Sequence, residues 1–153
     1  MPNTAAVSTS FKQDLLNGIH AFGPTVVRTV TTPDIFYGAL YLTSGNLSAA
    51  TPAYTSTSEV SSSGTGYTAG GAQITNTIAP TTSGTTAYWT PSLALTWPTV
   101  TLSVYFDTVL IYNHSAAGLN AVANFNFGAQ VVSGSFSITM PTNNSTSALI
   151  RLS

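Results

Sequence analysis

The sequence predicts an all-β, antiparallel fold, and three observations carry that prediction. From Thr25 onward the chain is rich in β-branched and aromatic residues, which suit a pleated, half-buried surface. Turn-forming Gly, Pro, Ser and Asn residues interrupt it roughly every 10 residues, the spacing of a multi-stranded β domain. At 153 residues the chain is long enough for one domain with a real core and not comfortably enough for two. A sandwich, a jelly roll or a closed barrel all satisfy these observations.

The first element is the exception. Over 10–20, Phe11, Leu15, Leu16 and Ile19 share one face at helical spacing. Ser10 is placed to cap the helix, and Asp14 lies in its first turns. Gly18 and the Gly23-Pro24 pair end it. Strands are then expected over 25–31 and 35–43, separated by Pro33-Asp34. In the second of these both alternating faces are apolar, so both should be covered. The stretch 48–71, dominated by Ser, Thr, Ala and Gly, reads as a long flexible loop or arm with one short strand near Glu59 and Val60.

Further strands are expected over 72–78, 85–90, 100–106, 109–113, 121–127, 131–140 and 147–152. Pro80, Ser83-Gly84, Pro91, Pro98, Gly128 and Pro141 serve as separators. No internal repeat of fixed period is present, which argues against a solenoid or propeller. The domain is expected to span 1–153, with 1–24 as an N-terminal arm and short helix.

Charge is the most unusual total. Charged residues make up 5% of the chain, against about 25% in an ordinary soluble domain. The whole set is Lys12, Arg28 and Arg151 against Asp14, Asp34, Glu59 and Asp107. A surface of Ser, Thr, Asn, Gly and backbone repels its neighbours weakly, which suits a protein held in an assembly. Three basic residues are too few to neutralise the phosphates on which nucleic-acid affinity depends, so no nucleic-acid partner is expected. There are no cysteines, which excludes disulfides and thiolate metal sites. No secretory signal and no apolar run of about 20 residues is visible, so no membrane partner is expected.

Catalytic chemistry finds little support. His20 and His114 are far apart, and neither falls in a metal-binding motif with the four carboxylates. No nucleophile elbow or paired acid is apparent. The glycine-rich stretch 63–71 lacks the lysine that a phosphate-binding loop requires. No catalytic, cofactor or metal residues are therefore assigned, and the protein is expected not to be an enzyme. Asn46, Asn113 and Asn143 begin glycosylation sequons, matches that chance supplies in such a composition. Aromatic residues are the most informative side chains. Phe11, Tyr54, Tyr67, Trp89 and Trp97 are the candidate interface residues, because large aromatics dominate burial in cores and interfaces. Trp89 and Trp97 also leave open a carbohydrate-binding module.

Several segments together carry a resemblance. They are the run 10–18 followed by His20 and Phe22, then Phe36-Tyr37-Gly38-Ala39-Leu40-Tyr41 and the segment from Glu59-Val60 to Gly70-Gly71. Leu110-Ile111-Tyr112-Asn113, the run 121–128, Gly134-Ser135-Phe136 and Ala148-Leu149-Ile150-Arg151 complete it. Spread over nearly the full length, these resemble a family of small structural proteins of the tailed-bacteriophage virion. The resemblance implies a jelly-roll-like capsid decoration, or cement, protein on the capsid exterior, present in the host cytoplasm during assembly. Its implied partners are the major capsid protein and copies of itself, as a homo-dimer or homo-trimer. A tail- or fibre-associated, receptor-binding role is the competing expectation.

Overall fold

Alternating burial along the chain produces two antiparallel sheets in the computed structural model, which describes residues 3–8, 11, 15, 19, 20, 22, 32–75 and 77–152. The strands are β1 (Ala6–Val7), β2 (Phe36–Leu42), β3 (Ala72–Gln73), β4 (Thr81–Ser83), β5 (Thr86–Trp89), β6 (Leu95–Asn113), β7 (Ala121–Ile138) and β8 (Ile150–Leu152). The larger sheet has the order β1-β7-β6-β2-β3 and the smaller one β4-β5-β8. The protein is all-β in its described part. The helix expected over 10–20 falls largely outside the described residues, and the strand expected over 25–31 falls wholly outside them.

Strand β2 shows why the sheet is covered on both sides. Phe36 and Leu40 project into the main core, while Ala39 and Tyr41 project the other way, and all four are buried. On the first face they meet Trp89 of β5 and Ile150 of β8, so the two sheets share one apolar cluster. There Phe22 stacks on Phe36 at 4.7 Å between ring centroids and leans on Trp89 at 4.8 Å. On the second face Leu47, Tyr54 and Leu119 cover Ala39, Tyr41, Leu110 and Tyr112.

The spine of the larger sheet is the β6–β7 hairpin, with strands of 19 and 18 residues. Sequence reading starts the first only after Pro98 and breaks it between 106 and 109, and divides the second at Gly128; the structure runs both strands through. Pro98 lies where the pairing slips between Trp97 and Val100, so its missing N–H removes no regular ladder bond. Gly128, with φ 83°, lies between Asn126 and Gln130, where the register with Thr108 and Phe106 shifts again. Strand β4 was unexpected: Ser83 pairs with Thr86, so Gly84 and Thr85 form a two-residue hairpin loop. The strand expected over 72–78 shortens to β3.

The stretch 48–71 is not the loose arm expected from its composition. It crosses the outer face of the larger sheet and is fastened at many points. Leu42 N–H donates to Ser58 O at 2.9 Å and Val60 N–H to Leu40 O at 2.9 Å. Thr101 N–H donates to Thr65 O at 2.8 Å, and Val60 and Tyr67 are buried. Low sequence complexity misled here because a few anchors, spaced among Ser and Thr, suffice to hold a strap.

Candidate functional site

Glu59 organises the strap. One carboxylate oxygen accepts from Tyr67 O–H at 2.8 Å and Gly70 N–H at 2.7 Å, and the other accepts from Tyr54 O–H at 2.7 Å. Tyr67 O accepts in turn from Leu40 N–H at 3.0 Å, which ties the carboxylate to β2. Tyr41 O–H donates to Thr55 O at 2.5 Å and Tyr112 O–H to Gly70 O at 2.9 Å. The ring of Tyr54 stacks on Tyr112 at 4.8 Å, and His114 stacks on Tyr37 at 4.4 Å. The hydroxyls of Tyr41, Tyr54, Tyr67 and Tyr112 and the carboxylate of Glu59 each hold a piece of the fold, as a clamp does.

Burial first, with the Glu59 carboxylate adding to it, holds the phenols of Tyr41, Tyr54 and Tyr67 above their ordinary range and pushes Tyr112 up to about 12. The fold thus favours the neutral phenols. Their contribution to stability is complete below the unfolded value of about 10 and is lost as pH rises from there through about 12. In an absorbance titration at 295 nm these four of the seven tyrosines should remain protonated past pH 10 and ionise together with alkaline unfolding. Seven independent titrations near pH 10 would show that the lattice is absent in solution.

Two further polar knots pin the N-terminal segment and the β6–β7 turn. Asp107, buried in β6, accepts from Asn3 Nδ2 at 2.7 Å and Thr108 O–H at 2.8 Å. Asn3 also accepts from Leu47 N–H at 2.8 Å and so joins the N-terminal segment to the start of the strap. Asn113, fully buried, donates to Asp34 at 2.9 Å and accepts from Ser115 and Ala116 N–H at 3.0 and 3.1 Å. It therefore caps the β6–β7 turn, which is the structural use of that sequon. Among the described residues no group of three or more His, Asp or Glu side chains is placed to hold a metal ion.

Four of the five candidate interface aromatics are enclosed in the core. Phe11, Tyr67, Trp89 and Trp97 are 0%, 3%, 2% and 4% exposed, and Tyr54, on the strap itself, is half-buried against Tyr112. A side chain enclosed by its own chain presents no area to a partner, so these four build the core, while Tyr54 keeps part of its surface open. Carbohydrate stacking on Trp89 or Trp97 is excluded on the same ground in the folded chain. The two tryptophans also differ: Trp89 Nε1–H donates to Ile78 O at 2.9 Å, whereas Trp97 Nε1–H has no acceptor among the described residues. Trp89→Phe should therefore cost about 1 kcal/mol more stability than Trp97→Phe, read as a difference in urea midpoint at unchanged slope. Equal midpoints would remove the Ile78 bond from the account.

A few large apolar side chains remain on the outside among the described residues. Val104, Tyr105 and Leu93 are about 60% exposed, and Val131 is 50% exposed. Tyr105 and Val104 stand out because the pairing slips between Leu102 and Phe106, which throws residues 103–105 out of register. Sequence reading missed these as surface residues. The signal was the run Val104-Tyr105-Phe106, three consecutive apolar side chains that strict alternation cannot all bury. The chain matches no protein-family model, no curated protein and no solved structure among those compared.

Proposed function

We propose that this chain is a non-enzymatic structural protein of a tailed-bacteriophage virion, specifically a decoration protein that binds and stabilises the assembled capsid shell from outside. The observation that supports it best is the surface: almost free of charge, with valine and tyrosine exposed on the long hairpin, over a fold that spends the carboxylates of Glu59 and Asp107 internally. The resemblance along the sequence points the same way. In this reading the five- and three-stranded sheets form a jelly-roll-like sandwich, and the partners are the major capsid protein and other copies of the chain. Each copy adds modest apolar burial and neutral hydrogen bonds, which depend little on salt. Many copies together resist the outward pressure of packaged DNA. Protein–protein interfaces of this kind bury upward of about 1,000 Å² in total.

Particles assembled without this chain should form normally but release DNA at a lower temperature, and added purified protein should restore them. Particles equally robust without it would eliminate the decoration role. Density for the chain on the tail, with altered adsorption in its absence, would establish the tail alternative instead.

A further inference from the structure

The β6–β7 hairpin has two long edges, and they are treated differently. The β6 edge is capped by the strap and its neighbour, through Thr101 N–H to Thr65 O at 2.8 Å and Thr43 N–H to Tyr105 O at 3.2 Å. The β7 edge is paired by β1 only at Ala123 and Asn124, with Ser8 N–H reaching Val122 O. Beyond that, over 127–138, no backbone partner lies along it among the described residues. Exposed edges normally carry charges or proline that discourage pairing. This one carries neither: β7 contains no Lys, Arg, Asp, Glu or Pro.

We infer that the open edge of β7 pairs antiparallel with the same edge of a second copy, about a two-fold axis at Val131. This deepens the proposed function, on whose self-association it rests, by naming the surface. Gly128 and Gly134, with φ of 83° and 116°, bracket the run 129–133, and Val131 is its centre. Val131 is also the large apolar side chain of β7 that stands most exposed. A two-fold axis normal to the sheet sets Val131 opposite Val131 and Ala129 opposite Ser133. It also keeps matching faces on the same side, so the half-buried Phe127, Val132 and Phe136 continue into the same row of the partner. Parallel pairing of the same edges would need a two-fold axis along the strands, which turns opposite faces to the same side and breaks this row, and pairing with a different edge would not close. Because both edges are uncharged, no like charges meet across the axis.

The size of this contact sets its strength. About a centre at Val131 the open run overlaps over 127–135; at about 3.3 Å per residue that edge is about 30 Å long, and with a sheet about 10 Å thick the contact covers roughly 300 Å² per copy. That is under half of the roughly 800 Å² per partner of a standard interface, so free protein should be mostly monomeric when dilute and dimeric when concentrated. On a shell, neighbouring copies sit at effective concentrations in the millimolar range, which is enough to close it.

The natural absence of cysteine makes the register testable. In concentrated protein under mild oxidation, Val131→Cys alone should form disulfide-linked dimers. Ala129→Cys alone and Ser133→Cys alone should not, because identical residues there lie about 13 Å apart, too far for a disulfide. Mixing those two variants should restore cross-linking. Val131→Lys, at an exposed position, should keep the wild-type circular dichroism and weaken self-association at least tenfold in sedimentation. Absence of the Val131→Cys dimer both in solution and on particles, or equal cross-linking at all three positions, would overturn the inference. Should the register pattern hold while the chain is absent from particles, the edge pairing stands and the capsid role falls. Should the chain decorate particles with no cross-link at Val131, the reverse follows.

Discussion

Replacing Gly71 with alanine should be among the most damaging single-methyl changes in this protein. Gly71 opens β3 at φ 85°, and a β-carbon there would lie 1.9 Å from Gly38 O and 2.7 Å from Ala39 Cα. Both obstacles are backbone of β2, so no side chain can swing aside. Relief requires the two chains to part by about 1 Å, which breaks the pairing of Gly38 with Ala72 and the bond from Ile74 N–H to Phe36 O at 2.8 Å. It also disturbs Gly70, whose N–H and C=O are held by Glu59 and Tyr112. Left-handed strain of about 1–2 kcal/mol, added to the lost bonds, puts the cost at about 4 kcal/mol or more. In a chain of this size that is a fall in Tm of roughly 10 °C. Gly84→Ala is the control: φ is 58° there, but nothing lies within 4 Å of the added carbon, so only the strain remains. Comparable melting of both variants would mean that the close approach at Gly71 does not constrain the fold.

Gly71 also shows what the sequence could and could not disclose. Strand β2 was legible because its alternation has two apolar faces, which demands cover on both. The identity of the cover was not legible, because the strap is built from Ser, Thr and Gly and its anchors are single residues. Glu59, Tyr67 and Gly71 gain meaning only when β2 lies beneath them, a contact set by tertiary packing. Pro98 and Gly128 were misread for a related reason. Punctuating residues end strands when the ladder must continue, and are tolerated when a register shift has already broken it. The aromatic residues were correctly singled out as the largest sources of burial, but burial in the core and burial at an interface ask for the same side chains. Only the fold separates Trp89, enclosed beside Phe22 and Phe36, from Tyr105, left outside by a bulge.

The second large effect is expected at Glu59. Alanine there removes the acceptor for Tyr54, Tyr67 and Gly70 at once. Hydrogen bonds to a charged group contribute about 1.5–3 kcal/mol each, less where water can substitute, and bonds sharing one carboxylate do not add fully. About 3 kcal/mol is the expected total, and most of it falls on the strap. Tyr67 is the sensitive member, since its buried hydroxyl would keep the Leu40 N–H as donor but lose its own acceptor. Glu59→Ala should therefore expose the chain after Tyr54 and Tyr67 to chymotrypsin under conditions in which the wild type resists, with the core strands still protected. Glu59→Gln separates charge from shape: its carbonyl can still accept, but its amide faces hydroxyl donors, so about half the loss is expected. If Glu59→Ala is cut no faster than wild type, the strap is held by its apolar anchors Val60 and Tyr67 alone, and the carboxylate is incidental. If Gln and Ala are equally labile, the negative charge itself is what fastens the strap across β2.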